Sequence, residues 1–241
     1  MSVYASILRT PGVAVVVLAT LIGRMPNGIS GLAILLYVRE VTGSFAAAGV
    51  AAGALALGSA LGAPFQGRLV DRRGVGMLVP LAGLHAAGLL AVWLSGEAGA
   101  PASALAGFAL VTGTTIPPLS SVLRSRWPYL LAERPELVAG AFALDSVLIE
   151  LIFVVGPLTT TAIVATVGAQ YALTVSAALV VIGTLMLLAG LSGHAGPEPS
   201  RAGRRAFGLG ALADSGLRTL VFASLPVGFA LGSLEVAVPA F

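Results

Sequence analysis

Apolar residues run through this chain in long stretches separated by short polar breaks. Seven such stretches fill nearly all of the 241 residues, and most are 21 to 29 residues long without the alternation of a barrel strand. A helix of that length crosses a hydrocarbon core of about 30 Å and satisfies its own backbone hydrogen bonds there. The pattern therefore predicts transmembrane helices at 12–38, 45–65, 75–95, 101–123, 137–165, 169–191 and 217–241.

The composition favours lipid over water as the surroundings of these helices. Hydrophobic residues make up 57% of the chain, charged residues 10%, and the mean hydropathy is +1.00. A water-soluble domain of this size needs a more polar shell. The absence of cysteine excludes disulfides and thiolate chemistry, and two histidines argue against a metal site, so no cofactor is expected. The basic loops lack the motifs of nucleic-acid binding.

The arginines predict the orientation, since the chain has no lysine. Eleven of the thirteen fall on one side of the predicted spans, whereas Arg39 falls on the other and Arg24 lies inside span one. By the positive-inside rule the N-terminus is cytoplasmic, and the chain is a multi-pass protein of the inner or plasma membrane. Trp127 and Tyr129 near the inner end of span four, and Trp93 near the outer end of span three, suit interfacial anchors.

The spans divide into two unequal parts. Residues 1–191 form a six-helix transmembrane bundle, 192–216 a cytoplasmic linker loop, and 217–241 the first transmembrane helix of a second, incomplete bundle. The tripeptide Leu-Arg-Thr at 217–219 repeats that at 8–10, and each copy opens an apolar helix. We expect the chain to be truncated relative to an arrangement with two complete bundles.

The loop between spans two and three contains a recognisable motif, G-R-L-V-D-R-R-G-V-G-M-L-V, at 67–79. It resembles the signature of the major facilitator superfamily, Gly-x-Leu-x-Asp-Arg-x-Gly, although Val75 and Gly76 stand where that family has a basic pair. The matching positions are Gly67, Leu69, Asp71, Arg72 and Gly74.

The resemblance implies a fold and a function. The fold is an all-α integral membrane protein with a six-helix bundle of the superfamily type plus a seventh helix, against twelve in a complete member. The function is transport of a small solute by alternating access across the lipid bilayer, with protons as an optional coupling ion, and no enzymatic activity. Gly67, Asp71, Arg72 and Gly74 correspond to the family's cytoplasmic gating motif. The alternative is an arginine-rich loop that only sets topology.

Four ionisable residues lie within spans: Arg24, Asp145, Glu150 and Glu235. Each costs about 2.5–3.5 kcal/mol at a bilayer centre, so they should face the protein interior or a wet cavity. Arg24, Glu150 and Glu235 reach similar depths, whereas Asp145 lies closer to the inner end of span five. Arg24, Asp145 and Glu150 are therefore the candidates for a coupling site or a buried ion pair. Arg24 could pair with Glu150, and Glu150 could instead take up a coupling proton.

The first span carries a polar stripe in which Thr20, Arg24, Asn27 and Gly31 follow helical spacing. In the family the first helix of each half lines the central cavity, so the resemblance assigns Arg24, Asn27 and Glu235 to a substrate cavity, with Arg24 binding an anionic group. Thr112 and Thr115 of span four either line that cavity or bond to the backbone beside the proline break.

Three alternatives to general solute transport remain open. Gly156-Pro157 in span five is similar to part of the signature of drug/proton antiporters, which suggests proton-coupled drug efflux. A second alternative is an inactive half-transporter fragment, which would need the missing C-terminal half or a second copy for activity. An intramembrane enzyme is less favoured, because the spans hold no recognisable catalytic constellation.

Overall fold

The computed structural model describes residues 3–193 and 215–237, which contain α-helices and short 3₁₀ turns and no strand. The predicted linker falls mostly outside the described residues, as do the last four positions of the predicted seventh span. The helices are α1 (Val3–Leu8), α2 (Val13–Arg24), α3 (Pro26–Thr42), α4 (Phe45–Arg73), α5 (Leu78–Glu97), α6 (Ala102–Gly113), α7 (Leu119–Leu130), α8 (Val138–Thr166), α9 (Ala169–Leu191) and α10 (Ser215–Ala237).

Each predicted span corresponds to helical structure, but two spans are interrupted. Span one consists of α2 and α3, and span four consists of α6 and α7. In the described part of the chain, five helical segments are long and apolar enough to cross a membrane: 13–42, 45–73, 75–97, 135–166 and 169–191. This confirms the expectation of an all-α protein with several membrane-spanning helices.

The helices α1 to α9 belong to one compact unit, and α10 belongs to a second. Within the first unit, span one is central, because α2 packs on α7 and α9 while α3 packs on α4, α8 and α9. The ends of the helices near Arg9, Arg72, Arg126 and Arg134 are called the arginine-rich end below. The outward faces keep large apolar side chains exposed, among them Leu57, Leu61, Phe65, Phe153 and Leu158. Apolar surface on this scale is suited to contact with lipid.

Glycines allow the helices of the first unit to approach closely. At three crossings, a methyl group added to one glycine would meet the backbone of a glycine on the partner helix. Small residues at helix crossings are typical of membrane proteins, where packing replaces the hydrophobic effect as the source of association. The glycine pairs are Gly23 with Gly183, Gly28 with Gly156, and Gly58 with Gly113.

The sequence pattern predicted that Trp127 lies at the membrane interface, but its side chain is completely buried in the bundle. It belongs to an apolar cluster with Val16 of α2, Leu123 of α7 and Leu144 of α8. The prediction was wrong because α7 continues to Leu130, so Trp127 is placed inside a helix packed on the bundle. Tyr129, two residues further, is exposed as expected.

The motif at the arginine-rich end is mostly helical and not a loop. The last turns of α4 extend through the motif to Arg73, and Gly74 ends the helix with φ 85° while its N–H donates to Val70 at 2.8 Å. A positive φ is easily adopted by glycine, which explains the stop. Asp71 and Arg72 are exposed, and Gly67 faces open space.

Candidate functional site

A buried ion pair connects spans one and five. Arg24 is the last residue of α2, and its Nη1 donates to Oδ1 of Asp145 in α8 at 2.6 Å. Arg24 is only 4% exposed and Asp145 is completely buried. Helical side chains point toward the N-terminus of their helix, so the Arg24 side chain runs toward the arginine-rich end, where the first turns of α8 lie.

Asp145 has a second cationic partner on α7. Nε of Arg124 donates to Oδ2 of Asp145, also at 2.6 Å, and the Arg124 side chain is 46% exposed. The three residues, Arg24, Asp145 and Arg124, are called the charge cluster below. Sequence reasoning missed the role of Arg124, because the apolar run ends at 123 and Arg124 was counted among the loop arginines.

The charge cluster has two cations and one anion, and so carries an excess positive charge. Each oxygen of Asp145 accepts one hydrogen bond from a different arginine. The Nε of Arg24 is buried and has no hydrogen-bond partner among the described residues. A guanidinium carries five N–H donors, so most of the donors of both arginines are not used by Asp145.

The predicted pairing of Arg24 with Glu150 is wrong, because Arg24 pairs with Asp145 and Glu150 is exposed. Five residues along a helix correspond to a rotation of about 140° and a rise of about 7.5 Å. Asp145 and Glu150 therefore point to different sides of α8, and the Asp145 side faces the bundle. In the described parts of the chain, Glu150 takes part in neither of the two ion pairs.

The polar stripe of span one does not share a single environment. Thr20 and Arg24 are buried, whereas Asn27 is exposed and Gly31 is half-buried. The helix is divided between them, because Pro26 has no N–H to continue the hydrogen-bond ladder, and α3 begins there. The hydroxyl of Thr20 donates to the carbonyl of Val16 in the same helix at 2.7 Å. Asn27 is therefore not part of the charge cluster.

The break in span four is repaired by side chains. The hydroxyl of Thr112 donates to the carbonyl of Phe108 at 2.7 Å, and that of Thr115 donates to the carbonyl of Thr112 at 2.8 Å. Of the two alternatives for these threonines, the hydrogen bonds support bonding to the backbone. The sequence pattern did not identify two further contributors from neighbouring helices. His85 of α5 bonds to the carbonyl of Thr112 at 2.9 Å, and Gln66 of α4 bonds to that of Thr114.

Glu235 lies in α10, but its side chain is outside the described set. Ser30 and Ser176, which sequence reasoning did not single out, form a buried hydroxyl pair at 2.7 Å between α3 and α9. Within the described residues, no group of three or more histidine, aspartate or glutamate side chains could hold a metal ion.

The arrangement thus combines a buried carboxylate with an arginine from span one and an arginine from span four. No protein-family model matches the chain, and neither a curated protein nor a solved structure matches it.

Proposed function

We propose that the chain is a secondary transporter of the major facilitator type, which moves a small solute by alternating access. The observation that carries this proposal is the ion pair between Arg24 and Asp145, buried among helices long and apolar enough to cross a membrane. Ionisable residues are expensive at such positions and usually mark the path of a substrate or ion.

The break in span four supports the same proposal. Residues 114–118 between α6 and α7 are not helical, whereas Met25 before Pro26 keeps helical backbone angles, so that 13–42 remains one membrane-length segment. Discontinuous helices near the membrane midplane are typical of transporter binding sites. They also supply positions at which one half of a helix can move relative to the other.

The proposed orientation places the arginine-rich end in the cytoplasm. The chain has no native cysteine, so single cysteines can be introduced without background labelling. Ala98 and Ser192 are exposed at opposite ends of the bundle. We expect a membrane-impermeant maleimide to label Ala98→Cys in intact cells and Ser192→Cys only after permeabilisation. The opposite pattern would contradict the orientation.

Transport itself is testable in proteoliposomes that contain the purified full chain. A panel of labelled sugars, amino acids, carboxylates and phosphate esters is offered outside, with and without the same unlabelled solute inside. An alternating-access carrier shows saturable uptake that is accelerated by solute on the other side, and protein-free liposomes do not. If correctly folded protein shows no such acceleration with any solute class, the proposal fails.

A second candidate function, proton-coupled efflux, is favoured by one observation. Glu150 is exposed halfway along α8, on the side away from the buried face, where a carboxylate could exchange a proton. Under this alternative, an imposed pH gradient drives solute movement, and Glu150→Gln abolishes the response to the gradient while exchange of solute continues. Flux that is insensitive to the gradient in the unmodified protein would eliminate this alternative.

A further inference from the structure

The charge cluster has more positive charge and more hydrogen-bond donors than Asp145 can match. We propose that Arg24 and Arg124 form a subsite for an oxyanion, so that the transported solute carries a carboxylate or phosphate group. This inference rests on the transport function proposed above. To the expectation that Arg24 binds an anionic group it adds the second arginine, Arg124, and the oxyanion chemistry of that group.

The hydrogen-bond geometry is the first argument. An arginine and a carboxylate commonly pair through two parallel hydrogen bonds, but each guanidinium here gives Asp145 a single bond. The Nε of Arg24 is buried and without a partner among the described residues, although the residue is only 4% exposed. A buried donor without an acceptor is unfavourable, and a ligand oxygen would remove that cost.

The charge balance is the second argument. Two guanidinium groups share one carboxylate, and the nearest other acid along α8, Glu150, points to a different side of that helix. The buried pair of Arg24 and Asp145 is neutral by itself, so the excess charge is that of Arg124, whose side chain is 46% exposed and therefore open to an anion. A bound anion gives each arginine its own negative partner, which a neutral solute cannot do.

Access to the cluster is the third argument. The Arg124 side chain is 46% exposed, whereas Asp145 behind it is completely buried. An anion that arrives from the arginine-rich end therefore meets Arg124 first. The planar fork of a guanidinium binds two oxygens of one group at once, which favours carboxylate or phosphate over a monatomic ion such as chloride.

Fluorescence of Trp127 provides a direct test, because it lies three residues from Arg124 in α7. The full chain, with Trp93→Phe to leave a single tryptophan, is placed in nanodiscs of phosphatidylcholine. Inorganic phosphate, acetate and chloride are titrated at constant pH and ionic strength. We expect a saturable response to phosphate and acetate, and a much weaker response to chloride.

Variants assign the response to the charge cluster. Arg124→Gln is expected to weaken the apparent phosphate affinity about tenfold or more, since it removes a charge-assisted contact. Arg124→Lys keeps the charge but not the planar fork, so its phosphate affinity should lie between those of Arg124→Gln and the unmodified protein. Arg134→Gln is the matched control, because Arg134 is exposed at the same end of the bundle and lies outside the charge cluster. The phosphate affinity of this variant should equal that of the unmodified protein.

The outcomes separate this inference from the transport proposal. Equal phosphate affinity in Arg124→Gln and Arg134→Gln, or an equal response to chloride, would overturn the subsite. The titration is repeated in discs that also contain phosphatidylglycerol. If the fluorescence response to phosphate is lost there, the oxyanion subsite is supported and its ligand is a lipid headgroup. If the response is unchanged, the ligand is a free solute. If only neutral solutes show accelerated exchange, the proposal of an anionic substrate is wrong and the proposal of transport stands. If anions bind but no solute is exchanged, the proposal of transport is wrong and the oxyanion subsite stands.

Discussion

Replacing Asp145 by asparagine should strongly destabilise the helix bundle. The substitution conserves size but leaves Arg24, which is 4% exposed, without its anionic partner. Removing one member of a buried ion pair costs about 3–5 kcal/mol, because the remaining charge stays in a poorly solvated place. Arg124 contributes little to this cost, since its side chain is 46% exposed and can turn to solvent. We therefore expect a loss of about 3–5 kcal/mol in the free energy of unfolding.

The measurement is unfolding in mixed micelles by titration with sodium dodecyl sulfate, followed by circular dichroism. Glu150→Gln is the matched control: it makes the same chemical change on the same helix at an exposed position, and its effect should stay within about 0.5 kcal/mol. The double variant Arg24→Met with Asp145→Leu removes both charges and should recover most of the stability. If Asp145→Asn lies within about 1 kcal/mol of the unmodified protein, the cluster does not hold the bundle as argued.

Three further predictions follow from the packing. Gly183→Leu should prevent folding of the bundle, because the added side chain meets the backbone of a neighbouring helix. Gly53 faces open space, so Gly53→Leu should unfold at the same detergent concentration as the unmodified protein. Gln66→Leu should lower the free energy of unfolding by about 1–3 kcal/mol in the same titration, because the Thr114 carbonyl loses its partner. In a Trp93→Phe variant, the remaining Trp127 should show blue-shifted emission that acrylamide quenches poorly, whereas easy quenching would contradict its burial.

The positions of the helices were predictable because hydropathy is a local property of the chain. Each of the predicted spans one to six overlaps helical structure, although the second span ends at Arg73 and not at 65. The extension follows from the motif, whose polar residues remain helical beyond the apolar run until Gly74 stops the helix. Hydropathy marks where a helix leaves the apolar region, and the helix itself can continue further.

The partners within the candidate site were not predictable from depth alone. Arg24 was placed correctly inside span one, but its acid was expected to be Glu150 because the two depths agree. The choice depends on the rotation of α8 about its axis, which the apolar sequence around both acids does not reveal, and on the direction of the Arg24 side chain. Arg124 was missed for a related reason. In the sequence, an arginine that sets the topology cannot be told from an arginine that binds an acid inside the bundle.

The charge cluster also connects spans one and four to the same helix, α8. The half-helices α2 and α7 each carry one arginine, and both arginines bind the same carboxylate on the uninterrupted helix α8. Rotation of α2 about Pro26, or of α7 about the break before Leu119, must change the distance of its arginine from Asp145. An anion that takes over one guanidinium would therefore weaken the attachment of one half-helix to α8 while the other stays bound. In the proposed transporter, binding and a change of conformation would then be coupled through the same few hydrogen bonds.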